Sequence, residues 1–211
     1  MPQKTLVYYF TMTSPWAYIG HAVVTELAAK HGLKLDYRPI GLGQIFPETG
    51  GVPLAKRAPA RQAYRLVELQ RWREKRGVHV NLHPKFFPFD VALMDRVVLA
   101  LLQSGKDAAG KDAAAFIPRG FRAIWSEDRN MADRAELAKL LHEAGLNADT
   151  VLKLADSPEI VAAYQANIAQ ALAAGVFGSP SYVLDGELFW GQDRLELLAE
   201  MLQSGRAAYH P

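Results

Sequence analysis

Cysteine is absent from the 211-residue sequence. A chain without it has no disulfide framework, no thiolate metal site, no redox dithiol and no cysteine nucleophile, so any thiol chemistry needs a thiol from outside. Excess charge is missing too: 24 basic against 22 acidic side chains leave a net charge of +2, which offers no electrostatic footprint for nucleic acid. Long apolar runs are lacking, the richest being Val97 to Leu102, far below the roughly 18 residues of a membrane span. Met1-Pro2-Gln3-Lys4 leads straight into Thr5-Leu6-Val7-Tyr8-Tyr9-Phe10-Thr11, too short, too aromatic and too quickly polar for a secretory leader. A cytoplasmic protein with no membrane or nucleic-acid partner is expected.

Other chemistries drop out because motif members are missing. His79 and His83 stand in an alternating, extended stretch that gives them no common helical face, and without a His-Glu-x-x-His arrangement no metal site is expected. Gly41-Leu42-Gly43 begins like a dinucleotide fingerprint, but the third glycine is missing and Pro47 interrupts the helix that should follow. Ser14 lacks the Gly-x-Ser-x-Gly elbow of a hydrolase nucleophile.

What is present is ordinary for a globular chain: half the residues are hydrophobic and 22% are charged, enough for a sizeable core in one fold, with or without an insertion. Residues 5 to 11 read as a strand buried on both faces. Ser14 then serves as N-cap and Pro15 as first residue of a helix closed by Gly32, and Leu33 to Ile40 alternates as a second strand, completing a parallel βαβ unit. A loop rich in glycine and proline runs from Gly41 to Pro53. Helices are predicted over Pro59–Arg76, Val91–Ser104, Ala113–Ser126, Asp133–Ala144, Ala148–Ala155 and Pro158–Ala174, several with a capping residue in front and a glycine behind. Tyr182-Val183-Leu184 and Glu187-Leu188-Phe189-Trp190 flank Asp185-Gly186, a strong hairpin signal, and Asp193, with Glu196 three residues on, caps a last helix. The fold class expected is α/β, a thioredoxin fold with a large all-helical insertion: residues 1–41 and 175–211 form the thioredoxin-like part and residues 42–174 the helical domain.

Three stretches carry candidate chemistry. The helix start at Ser14-Pro15 offers free N–H groups, a favourable dipole for an anion and one hydroxyl donor; Ser-Pro is also simply a common helix opening. Ser179-Pro180 immediately precedes the hairpin, where a cis bond would turn the backbone of Ser179 toward an extended ligand. Trp190-Gly191-Gln192-Asp193 opens the last helix as a second charged-group site. In Pro59–Arg76, Arg61, Arg65, Arg71, Arg73, Lys75 and Arg76 read first as a solvated face, or as cations that, together with Lys56 or Arg57, steer an anionic aromatic carboxylate or the carboxylates of a thiol-bearing ligand into the cleft. Tyr64, Leu66, Val67, Leu69 and Trp72, and later Phe121 and Trp125, read as packing.

Thr13-Ser14-Pro15-Trp16-Ala17-Tyr18, Tyr37-Arg38-Pro39-Ile40, Phe87-Pro88-Phe89, Val176-Phe177-Gly178-Ser179-Pro180-Ser181 and Phe189-Trp190-Gly191-Gln192-Asp193-Arg194-Leu195 together resemble the 2-hydroxychromene-2-carboxylate isomerases of the DsbA-like, kappa-class glutathione transferase group. The resemblance implies a homodimer that uses glutathione on a small aromatic carboxylate. It implies that Ser14, at the position of the first cysteine in redox relatives, is catalytic and meets the glutathione sulfur, with Ser179, Pro180, Trp190, Gly191, Gln192 and Asp193 holding the tripeptide. Gln44 and Asp90 are candidate substrate contacts; the family usually carries asparagine where this chain has Asp90. The implied chemistry is reversible addition of a thiolate to a conjugated C=C, which frees it to rotate. A kappa-type conjugation and a redox-inactive binding module remain the alternatives.

Overall fold

A computed structural model describes residues 3–104 and 110–210; Met1, Pro2 and the outer bounds expected at residues 1 and 211 lie outside the described residues. The chain runs β1 (Thr5–Phe10), α1 (Pro15–Lys30), β2 (Lys34–Pro39), α2 (Leu42–Thr49), α3 (Pro59–Arg76), α4 (Ala92–Ser104), α5 (Lys111–Trp125), α6 (Arg134–Glu143), α7 (Ala148–Ala155), α8 (Pro158–Ala173), β3 (Ser181–Leu184), β4 (Glu187–Trp190) and α9 (Leu195–Ser204). The sheet order is β2-β1-β3-β4. β1 pairs parallel with β2 and antiparallel with β3, and β3 pairs antiparallel with β4. This is a thioredoxin fold with helices inserted between β2 and β3, as expected.

Local chemistry explains most boundaries. Ser14 accepts a hydrogen bond from Ala17 N–H, Asp133 from Ala135, Asn147 from Thr150 and Ser157 from Ile160, so four helices start on side-chain caps. Asp185 and Gly186 both take positive φ, 52° and 87°, the turn geometry that matches strand twist in a two-residue hairpin. β1 is covered on both faces, with Leu6, Tyr8, Tyr9 and Phe10 all buried. Tyr8 stacks on Phe10 at 4.6 Å and on Tyr182 of β3 at 5.1 Å. α4 is the core helix of the inserted block, with Met94 and Val97 to Leu101 buried.

Three expectations need correcting. The loop from Gly41 contains a helix, α2, despite Pro47. Proline there deprives only the Gly43 carbonyl of its donor, and Gly43 is exposed to water, while buried Ile45 anchors the turn. Asp193 does not cap α9: residues 192–194 form a 3₁₀ turn after Gly191, Asp193 pairs with Arg194 at 2.5 Å, and Glu196 pairs with Lys75 at 2.6 Å. The face of α3 is also shifted. Its covered stripe runs through Gln62, Arg65, Leu66, Leu69, Trp72, Arg73 and Arg76, the spacing of one helical face. Tyr64 and Val67 fall off that stripe and are exposed, whereas Arg65, Arg73 and Arg76 lie on it.

Candidate active site

Where β1 ends, Thr11 to Ser14 turn the chain into α1, and the turn is closed from both sides. On one side stands the segment before β3. Ser14 Oγ donates to the Ser179 carbonyl at 3.0 Å, and Ser179 Oγ accepts from Thr11 N–H at 3.1 Å. Ser14, Thr11 and Ser179 are all buried. The Ser179–Pro180 peptide is cis, and Ser181 Oγ donates to the Gly178 carbonyl at 2.9 Å. Among the described residues the N–H groups of Ser179 and Trp16 have no partner, so two backbone donors beside Ser14 are left for a ligand.

On the other side the inserted helices reach in. Asp95 of α4 is fully buried and accepts from Met12 N–H at 2.9 Å and from Thr11 Oγ1 at 2.9 Å. Tyr164 of α8 donates to the same carboxyl at 3.1 Å. Burial pushes the Asp95 carboxyl up to about 7, against the opposing pull of these donors, Met12 N–H first. The Tyr164 hydroxyl is raised as well, by burial first and then by Asp95. Trp125 Nε1 donates to the Met12 carbonyl at 3.2 Å. The turn that carries Ser14 is thus held by α4, α5 and α8. Trp125 and Phe121 are core residues as expected, both with no exposed surface. Asp95 and Tyr164 were not foreseen; one acidic residue inside the apolar run of α4 was the available signal.

Beyond β4, Gly191 N–H donates to the Pro180 carbonyl at 2.9 Å. A Cβ at Gly178 would meet Trp190 Nε1 at 2.3 Å, so close approach favours glycine there, whereas Gly191 is favoured by its backbone, at φ 96°. Trp190 is half exposed and packs against Phe177 at 4.8 Å. Gln192 is turned inward: it is buried, its Oε1 accepts from Arg76 Nε at 3.1 Å, and its Cβ lies 2.5 Å from where a Gly20 Cβ would stand. Asp193 and Arg194 present an exposed pair of opposite charges. Gln44 is exposed on α2 and its side chain has no hydrogen-bond partner among the described residues, and Asp90 accepts from Ala92 N–H at the start of α4. Neither bonds to Ser14 or Ser179. α2 nevertheless begins beside the buried network, since a Cβ at Gly41 would lie 3.1 Å from the Tyr164 hydroxyl.

Among the described residues no group of three or more His, Cys, Asp or Glu could hold a metal ion, and no helix is long and apolar enough to cross a membrane.

The DSBA-like thioredoxin domain family matches residues 5–203. A 2-hydroxychromene-2-carboxylate isomerase from Sphingobium xenophagum is 30% identical over 94% of this chain and 98% of its own. Glutathione S-transferase kappa 1 from Rattus norvegicus is 23% identical over 94% of this chain and 91% of its own. A solved 2-hydroxychromene-2-carboxylate isomerase shares the fold, with a TM-score of 0.78 over 95% of each chain at 24% identity. The chain belongs to the DsbA-like thioredoxin family and, within it, to the 2-hydroxychromene-2-carboxylate isomerase family.

Proposed function

We propose that this protein is a glutathione-dependent isomerase of an aromatic-pathway carboxylate such as 2-hydroxychromene-2-carboxylate, working as a cytoplasmic homodimer. The observation that carries the reading is the contact between Ser14 Oγ and the Ser179 carbonyl, 3.0 Å across 165 residues of sequence, in a chain with no cysteine. In this reading residues 1–41 and 175–211 hold the tripeptide and residues 42–174 supply the substrate wall, Gln44 and Asp90 included. Bound glutathione supplies the thiolate that adds reversibly to the conjugated double bond.

The chain's own groups fit that ligand. The free Ser179 N–H and the Ser179 carbonyl form a donor and acceptor pair for a peptide backbone, aligned by Pro180. When a peptide N–H takes the Ser179 carbonyl, the Ser14 hydroxyl is released to turn toward sulfur. The Ser14 hydroxyl, the unpaired Trp16 N–H and the α1 dipole all favour a thiolate over a thiol there. Ser14 orients and stabilises; it does not attack. Trp190 covers the apolar part of the tripeptide. Asp193 and Arg194 match the ammonium and carboxylate of the γ-glutamyl end, while Gly191 and Gln192 fix the turn that presents them.

Calorimetric titration with glutathione tests this. One saturable site per chain is expected, weakened by about fivefold in Trp190→Ala. No binding at millimolar glutathione would instead favour a redox-inactive binding module.

A further inference from the structure

Of the three arginines on the covered stripe of α3, two have acceptors. Arg73 donates to the Val80 carbonyl at 3.1 Å, and Arg76 donates to Gln192. Arg65 is half-buried, yet among the described residues it has no hydrogen-bond or ion-pair partner; its guanidinium lies 5.9 Å from the centre of the Phe87 ring. The charge acting on it is of the same sign, from Arg57, and burial together with Arg57 pushes its pKa down to about 10. Arg57 is half-buried too and uses its Nε on the Val52 carbonyl at 2.8 Å. A desolvated guanidinium normally has its planar fork of donors satisfied by a carboxylate or carbonyls. Here the fork is empty and faced by a second cation, which is the electrostatics of an anion site.

Its place in the fold points the same way. Phe87 packs on Trp125 at 5.0 Å, and Trp125 holds the Met12 carbonyl in the turn that carries Ser14. Arg65 therefore stands behind an aromatic wall that continues into that turn.

We propose that Arg65, with Arg57 beside it, takes the carboxylate of the aromatic substrate, whose ring lies along Phe87. The proposal rests on the reading that the substrate is an aromatic carboxylate. A planar carboxylate accepts two parallel N–H bonds from one guanidinium and offsets one of the two positive charges. Arg65 is thereby a residue that selects substrate, and glutathione is held elsewhere.

Salicylate is a suitable probe, titrated calorimetrically in low salt against the wild-type protein and Arg65→Met, Arg65→Lys and Arg57→Gln. Expected is saturable binding to the wild type, at least about tenfold weaker in Arg65→Met, where both the charge and the fork are gone. Arg65→Lys, which keeps the charge without the fork, and Arg57→Gln are expected to lose roughly threefold. Glutathione affinity is expected to stay within about twofold, and the melting temperature of free Arg65→Met not to fall, because an unpaired cation has been removed from a covered face. Equal salicylate binding by wild type and Arg65→Met, or none by wild type, overturns the proposal. So does a loss in Arg65→Met that falls on glutathione, since the pair then serves the tripeptide. A protein that binds salicylate through Arg65 but no glutathione sinks the functional reading and leaves this subsite standing.

Discussion

Replacing Ser14 by alanine is expected to lower turnover at saturating glutathione by about a hundredfold or more, the usual loss when one donor to a developing anion is removed. Glutathione affinity should change by less than about threefold, because in the proposed site Ser179, Trp190 and Asp193 would still hold the tripeptide. A second consequence must be separated from the first. Ser14 also caps α1 through Ala17 N–H at 3.1 Å, and losing a cap costs about 1 kcal/mol. A modest fall in melting temperature should therefore accompany the loss of rate without explaining it. Ser14→Thr keeps a hydroxyl and should recover much of the rate. Steady-state kinetics beside calorimetry distinguish these effects; undiminished turnover in Ser14→Ala would rule out a role for the hydroxyl at the sulfur.

Replacing Asp95 by asparagine is expected to raise stability more at high pH than at low pH. The carboxyl is held up to about 7 in the folded protein and falls to about 3.9 in the unfolded chain. The folded state keeps a proton that the unfolded state releases, so this residue's contribution is fully present below about pH 4 and is lost as pH rises through about 7. Between pH 5 and pH 8 that amounts to roughly 2 to 3 kcal/mol. His21 acts in the opposite direction. Burial pushes it down to about 4, and its Nδ1 has no partner, so its contribution is lost as pH falls from about 6.5 toward 4. The wild-type profile alone is therefore blunted, and the comparison that matters is the difference between Asp95→Asn and wild type, in which His21 cancels. Urea unfolding at pH 5 and pH 8 should show that difference widening with pH in favour of the variant. Asp95→Leu has no such compensation. It leaves Met12 N–H and the Thr11 and Tyr164 hydroxyls without their acceptor, at about 1 to 3 kcal/mol for each group that stays buried. A difference that does not change with pH would mean that Asp95 is already ionised in the folded protein at pH 5.

The elements that the sequence made legible are those with local signals. Ser14-Pro15 starts α1, Asp185-Gly186 turns the hairpin, and Ser157 and Asp133 cap α8 and α6. α2 was hidden because Pro47 is tolerated where the carbonyl it orphans faces water. The last helix escaped its expected cap because Gly191, at φ 96°, begins the turn early and places Asp193 inside it. The inner face of α3 carries arginines, which hydrophobic spacing alone reads as solvent-facing. In the sequence, Ser14 and Ser179 were marked by motifs, and the fold brings them within 3.0 Å of each other. Asp95 was not, since its partners Met12, Thr11 and Tyr164 lie 83, 84 and 69 residues away in sequence. Only folding brings such groups together.

The borrowed thiol is tested most directly by the initial rate of 2-hydroxychromene-2-carboxylate isomerisation with and without glutathione, with S-methylglutathione as control. The expected result is the uncatalysed background without a thiol, a saturable rise with glutathione, no rise with the S-methyl compound, and no net consumption of glutathione. Stoichiometric consumption of glutathione would mark a conjugating transferase. Full catalytic rate in the absence of any thiol would mean that no borrowed thiolate takes part in the isomerisation.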